Sequence, residues 1–195
     1  MTDLAFLDAF RLAAFQVVSV ITTTGFVTAN YTAWAPSLTV VFFALLFVGA
    51  SAGSTSGGVK IIRHLVFFKN SFLEFKRLLH PKAIIRIKID KQVVRAQILT
   101  HILVFLFFYF VIFIVGTGLM AICLSDYPNT LLSSMGSVAT TLGNVGPGIG
   151  SLGPLDNFAS IPHSAKALSL ILMLIGRLEI FTILILLTPF FWRKN

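Results

Sequence analysis

The sequence predicts an all-α membrane protein made of two similar units, and three observations carry that prediction. The first is composition. Of the 195 residues 56% are hydrophobic, 20 are phenylalanine and only 11% are charged, against about a quarter charged in a soluble domain. The second is the run Ile98 to Cys123 (ILTHILVFLFFYFVIFIVGTGLMAIC), which carries no formal charge. At about 1.5 Å per residue it crosses a hydrocarbon core about 30 Å thick. The third is an internal repeat whose offset, 121, is the separation of Gly25 and Gly146. It lays Gln16-Val17-Val18-Ser19 over Ser137-Val138-Ala139-Thr140, and Thr23-Thr24-Gly25-Phe26 over Asn144-Val145-Gly146-Pro147.

The elements follow in chain order. Leu4 to Val20 reads as a short helix, and residues 1–20 lack the basic start and cleavage site of a signal peptide. It runs into Val-Ile-Thr-Thr-Thr-Gly-Phe at 20–26. Three hydroxyl residues before a glycine are poor helix material, and they are costly in hydrocarbon unless something uses their oxygens. Pro36 to Phe68 is apolar at both ends and broken by GASAGSTSGG at 49–58.

Ten of the 15 lysines and arginines lie between Lys60 and Arg95. Basic residues beside spans mark the cytoplasmic side, so the net charge of +8 is a topology signal, and no nucleic-acid partner is expected. Within this stretch residues 81–95 (PKAIIRIKIDKQVVR) alternate apolar and basic, the pattern of a short cytoplasmic hairpin. It either meets anionic membrane lipid or docks a partner.

With 60–95 inside, the 98–123 span runs outward, and Ala167 to Trp192 runs back as a span holding Arg177 and Glu179. Arg193-Lys194 then lies inside, as the charge rule prefers. Between these spans Thr130 to Thr141 reaches only about 18 Å as a helix, too short to cross. The glycine-rich LGNVGPGIGSLG follows it. A short helix followed by non-helical backbone is a re-entrant loop, which protein or a water-filled cavity must shelter. Residues 1–80 therefore form one unit, 81–96 a basic cytoplasmic hairpin or linker, and 97–195 the second unit. The first unit lacks a leading span. The lone Cys123 excludes an intrachain disulfide and reads as a packing residue.

The combination suggests a chemistry. A half-helix entering the membrane, an oxygen-rich extended segment and a span together make a potassium-type pore loop, whose backbone carbonyls replace an ion's hydration shell. The negative end of the short helix favours a cation there, and glycine supplies the backbone angles. The fold class is thus two span–pore-loop–span units. The ion is a substrate held by carbonyls alone, and no cofactor is expected.

Two further signals each admit two readings. Gly49 to Gly58 either permits close helix packing or unwinds to line a cavity. Arg177, near the middle of its span, costs at least about 2.5 kcal/mol in lipid. It is either a structural cation on interior carbonyls or a charge facing the ion path. Glu179, about 200° around a continuous helix, is a poor direct partner for it.

Rival functions were weighed on the same residues. Gly49-Ala50-Ser51-Ala52-Gly53 matches the G-x-S-x-G of serine hydrolases, which raises an intramembrane serine protease. It needs a histidine at matching depth, and His64, His80, His101 and His163 lie in the basic region or near span ends. Gly53 to Lys60 (GSTSGGVK) is like a phosphate-binding loop with Val59 where lysine belongs. A broken-helix solute carrier with alternating access is the other rival.

Four separated motifs, TTTGFVTANY, GASAGSTSGGVKIIR, GNVGPGIG and GRLEIFT…TPFFWR, resemble the second half of the Trk/Ktr potassium-uptake transporters. The resemblance runs from about residue 4 to the C-terminus. Those membrane subunits carry four span–pore-loop–span repeats around one pore, so the chain resembles the third and fourth repeats of a longer transporter. The resemblance implies that Thr23, Thr24 and Gly25 belong to one repeat's selectivity filter, and Asn144, Val145 and Gly146 to the next. It implies that Gly49, Gly53, Ser54, Thr55, Ser56, Gly57 and Gly58 form a gating loop beneath the filter, with Arg177 across from it in the ion path. It further implies a cell inner-membrane location, a homodimer, and a cytosolic nucleotide-binding regulatory subunit that docks on residues 60–95.

Overall fold

Ser133, Ser134, Ser137, Thr140 and Thr141 are buried on one short helix, while Phe107, Phe110, Ile114 and Ile122 of the longest helix are exposed. This inversion of soluble packing runs through the computed structural model, which describes residues 5–192 apart from Ile84 and Lys91.

Helix α1 (Phe6–Ile21) ends at the three threonines, and a single turn at Tyr31–Ala33 leads to α2 (Pro36–Leu45). Proline at the first helical position sacrifices an N–H that has no partner anyway. After α2 the chain leaves the helix until β2 (Val59–Lys60), which pairs in parallel with β1 (Val48–Gly49) and closes the intervening loop. Helix α3 (Ile61–Leu79) follows directly. An antiparallel hairpin, β3 (Lys88–Ile89) with β4 (Gln92–Val93), precedes the uncharged α4 (Ala96–Cys123). Helix α5 (Thr130–Gly143) starts and stops at asparagines in left-handed backbone, Asn129 and Asn144, a conformation asparagine tolerates better than most residues. A turn at Gly150–Leu152 leads to α6 (His163–Arg177), α7 (Ile180–Leu187) and α8 (Pro189–Trp192).

α5 lies innermost because its residues are small. A Cβ on Gly136 would sit 2.4 Å from Ile149 Cγ1, so the 144–153 segment folds back along the helix. Met120 of α4, Leu124 just past its end, Val138 of α5 and Leu172 of α6 close one core around it. A second core joins the two units: Val20, Tyr31 and Phe42 of the first pack with Ala139, Val145 and Ile149 of the second. Tyr31 is wholly buried, stacks on Phe42 at 4.2 Å, and donates from its hydroxyl to Gly148 O at 2.9 Å. Burial pushes its ionisation far up, so it remains a donor.

The last span departs from the sequence expectation. Ala167 to Trp192 is not one helix: α6 and α7 are bent by 108° at Leu178-Glu179. Three local facts account for the break. Gly176 is pressed so close to the end of α5 that a Cβ would sit 1.9 Å from Leu142 O. Glu179 adopts a φ of 60°. Arg177 then lies in the last turn of α6 and Glu179 caps the start of α7, each next to the helix end whose dipole favours its charge. The reckoning of Glu179 around a continuous helix therefore does not apply.

Tyr31→Phe keeps the stack on Phe42 and leaves Gly148 O without its donor. Thermal unfolding of detergent-purified protein should show a loss of about 1–3 kcal/mol. An unchanged midpoint would mean that the Tyr31–Gly148 bond does not hold the two units together.

Candidate functional site

The two glycine-ended loops share one backbone. Thr23 and Gly25 have φ of 55° and 76°, and Asn144 and Gly146 have 53° and 115°. These are the positions that the offset of 121 superposes. Each pair is separated by one residue outside the left-handed region, so neither loop is an ordinary strand. The anchors repeat as well. Thr23 N–H donates to Val20 O and Asn144 N–H to Thr141 O, both at 3.1 Å. Thr24 N–H donates to Ser19 O and Val145 N–H to Thr140 O, both at 3.0 Å. Side-chain hydroxyls finish the job differently: Ser19 Oγ donates to Phe26 O at 2.7 Å, and Thr140 Oγ1 accepts from Gly146 N–H at 2.8 Å.

The loops also touch. A Cβ on Gly25 would lie 2.1 Å from Val145 O, so glycine is required there by both contact and φ. Thr23, Thr24, Asn144, Val145 and Gly146 line a common cavity of about 600 Å³, with Lys166 at its wall. Both short helices end at these loops, so the negative ends of two helix dipoles converge on the same region.

The 49–58 segment packs directly against the second loop. A Cβ on Gly57 would meet Gly143 O at 2.3 Å and Asn144 Cβ at 2.8 Å, and one on Gly49 would meet Gly57 O at 2.6 Å. Gly49 and Gly57 are thus places of close approach, Gly58 is left-handed with φ 68°, and Gly53 has nothing within 4 Å. Ser54, Thr55, Ser56 and Gly58 line a second cavity, about 260 Å³, together with Arg177 and Glu179. Arg177 is exposed and has no hydrogen-bond or ion-pair partner among the described residues. The structural-cation reading, which needs interior carbonyls on its guanidinium, finds none.

Three residues at this cavity, Lys60, Arg63 and Tyr109, take roles that the sequence pattern does not announce. Lys60 is buried, and its Nζ donates to Ser54 O at 2.7 Å, to Ser56 O, and to Ser56 Oγ at 3.3 Å. Arg63 pairs with Glu179 at 3.0 Å and lies 3.9 Å over the Phe105 ring. Tyr109 is fully buried, its hydroxyl lacks a partner among the described residues, and it lines the cavity. The available signal for Lys60 was the octapeptide Gly53–Lys60, and its geometry settles which way that loop faces. A phosphate loop turns N–H groups inward, whereas here the carbonyls converge on an ammonium. This is a cation-facing loop. Ser51 is exposed, and no histidine is hydrogen-bonded to it among the described residues.

Comparison with known proteins agrees in kind. The TrkH family description, "Cation transport protein", matches residues 1–194. The potassium uptake protein TrkH of the Trk system of Salmonella typhimurium is 42% identical over 189 residues, 96% of this chain and 38% of that protein. Its counterpart from Escherichia coli K12 is 42% identical over 183 residues, 93% of this chain and 36% of that one. The crystal structure of the potassium transporter TrkH from Vibrio parahaemolyticus superposes with a TM-score of 0.86 at 39% identity, covering 98% of this chain and 40% of that one. The chain spans about two fifths of the length of the relatives it matches.

The glycine contacts separate close approach from open space. Gly25→Ala should lose at least about 1–2 kcal/mol from its left-handed backbone alone, with a further loss from the Val145 carbonyl. Gly53→Ala should stay within about 0.5 kcal/mol of wild type. Unfolding midpoints of the two purified variants decide it: equal midpoints would refute the packing of the two loops.

Proposed function

The chain belongs to the TrkH family of cation transport proteins, and from that premise we propose that it passes potassium ions across the cell membrane between two loops of backbone carbonyls. The observation that carries this reading is the matched pair of left-handed positions, Thr23 and Gly25 with Asn144 and Gly146, where two short helices end. The carbonyls of Thr23, Thr24, Gly25, Asn144, Val145 and Gly146 would replace the ion's water. Two such loops fill half of a fourfold ring, and further loops of the same kind complete it. The reading is transport and not catalysis. It places residues 60–95 in the cytoplasm, where their positive charge suits a homodimeric transporter that docks a cytosolic nucleotide-binding regulatory subunit.

Below this filter the 49–58 loop acts as the gate. Its carbonyls are turned toward the path, and Lys60 holds two of them. Lys60, Arg63, Arg177 and Glu179 line the gate cavity, so three cations face one carboxylate. Glu179 is committed to Arg63, which leaves Arg177 as an unneutralised barrier. Repulsion between unit charges about 6 Å apart is about 3 kcal/mol at an effective dielectric near 20. Relieving half of that at the slow step speeds passage about tenfold.

The breaks at 46–58 and at Leu178-Glu179 also suit a solute carrier with interrupted helices. Uptake assays separate the two, because a carbonyl filter passes rubidium and an organic-solute carrier does not.

Arg177→Ala in the assembled transporter should raise rubidium uptake about tenfold per membrane-inserted molecule, with Arg177→Lys near wild type. Less inserted protein for both variants at equal specific flux would end the barrier assignment. Lys60→Met removes the ammonium that ties Ser54 O to Ser56 O, and should also raise flux per molecule. Flux unchanged at normal insertion would show that Lys60 does not hold the gate.

A further inference from the structure

The cytoplasmic hairpin creates a concentration of positive charge that the ion path does not use. In its register Lys88 faces Val93 and Ile89 faces Gln92, and Val94 N–H donates to Ile87 O at 2.9 Å. Continued beyond the paired residues, this register brings Arg86 across from Arg95. Like charges directly opposite in an antiparallel pair are destabilising, and neither guanidinium has a hydrogen-bond or ion-pair partner among the described residues. Both line one cavity of about 410 Å³ with a third arginine, Arg77. Arg77 is held in place by Glu74 at 2.6 Å, Asn70 at 2.9 Å and Ile85 O at 3.0 Å. Among the described residues no acidic side chain lines the cavity.

The rest of the lining is apolar and includes Ile85, Ile87 and Leu99. The cavity adjoins the first turn of α4, whose start has no side-chain cap and so presents N–H groups without helical partners. Because α4 is long and apolar enough to span, its first turn lies at headgroup depth. The helix that carries Arg77 also presents Phe68, Phe72, Phe75 and Leu79 to the outside, all more than half exposed and spaced along one helical face.

We propose that Arg77, Arg86 and Arg95 bind the phosphate of an anionic phospholipid at the cytoplasmic end of α4. Guanidinium groups suit phosphate oxygens through paired hydrogen bonds, and an anion between Arg86 and Arg95 removes their repulsion. The apolar wall receives the first methylenes of the acyl chains. A soluble phosphate would leave that wall wet, and a protein partner would leave the exposed aromatic face of α3 without a role. The cytoplasmic placement rests on the orientation proposed above; the binding of lipid does not.

The test uses the purified, delipidated transporter in detergent, with native mass spectrometry counting retained lipid. Phosphatidylglycerol should be retained at least fivefold more than phosphatidylcholine. Arg86→Gln/Arg95→Gln should abolish that preference, and Arg86→Lys/Arg95→Lys should restore most of it. Lys76→Gln/Lys82→Gln, outside the cavity, should leave it unchanged. Equal loss in the lysine controls would overturn the site in favour of diffuse surface charge. So would displacement of the lipid by millimolar inorganic phosphate or glycerol 3-phosphate, which would mark a soluble-anion site. A thermal readout guards against misfolding. Arg86→Gln should raise the unfolding midpoint in lipid-free detergent, where repulsion is relieved, and lower it in phosphatidylglycerol nanodiscs, where a ligand is lost. A shift of the same sign in both media would overturn the proposal. Rubidium flux is not among these readouts, so failure here leaves the ion-path reading standing.

Discussion

Inside hydrocarbon there is no water to satisfy a backbone group, so every non-helical carbonyl and N–H must find a partner in the protein or in an ion. Both glycine-ended loops and the 49–58 segment leave the helix, and the surroundings are arranged around that fact. Beyond its first turn α5 is buried, apart from the half-buried Met135, although it is rich in serine and threonine, because its small polar residues let loops approach and supply hydroxyls to them. Thr140 serves Gly146, Ser133 serves Ser151 at 3.0 Å, and Ser19 serves Phe26. Thr23, Thr24, Asn144, Val145 and Gly146 of the two glycine-ended loops line one cavity.

The same constraint explains the charges. Arg63 is mostly covered, and it is tolerated because Glu179 and the Phe105 ring attend it. Lys60 is tolerated because two carbonyls of the loop it follows accept from its ammonium. Of the three cations lining the gate cavity, Arg177 alone is left without an attendant among the described residues. Breaking the last span at Leu178-Glu179 makes this possible: the bend lets both charges leave the lipid-facing surface and sit at helix ends that stabilise them.

The hydrophobic surface completes the picture. Large apolar side chains of α4 and α3 lie outside, which is costly in water and neutral in lipid. Tyr31 and the core around it do what a soluble interior would do: Tyr31 stacks on Phe42 of its own unit and reaches the other unit through apolar packing and one buried hydrogen bond.

Much of this was determined by the sequence alone. Composition and the uncharged run Ile98–Cys123 set the membrane class, because hydrocarbon thickness is a length requirement that a chain meets locally. The repeat at 121 was visible in types of residue, and the structure carries it in matching φ angles and anchors, since a hydroxyl residue in the last helical turns and a closing glycine act on the backbone next to them. The alternation in 81–95 likewise announced its strand pair. Tertiary structure decided the rest. Hydropathy summed Ala167–Trp192 into one span because apolar residues outnumber two charges, and it could not register that Gly176 meets the end of α5. In sequence Lys60 is only the last residue of a stretch like a phosphate-binding loop, and its role depends on the carbonyls that meet its ammonium in the folded chain. The partnership of Arg63 with Glu179 joins residues 116 apart in the chain, and no local pattern encodes a contact whose geometry exists only after both units have packed.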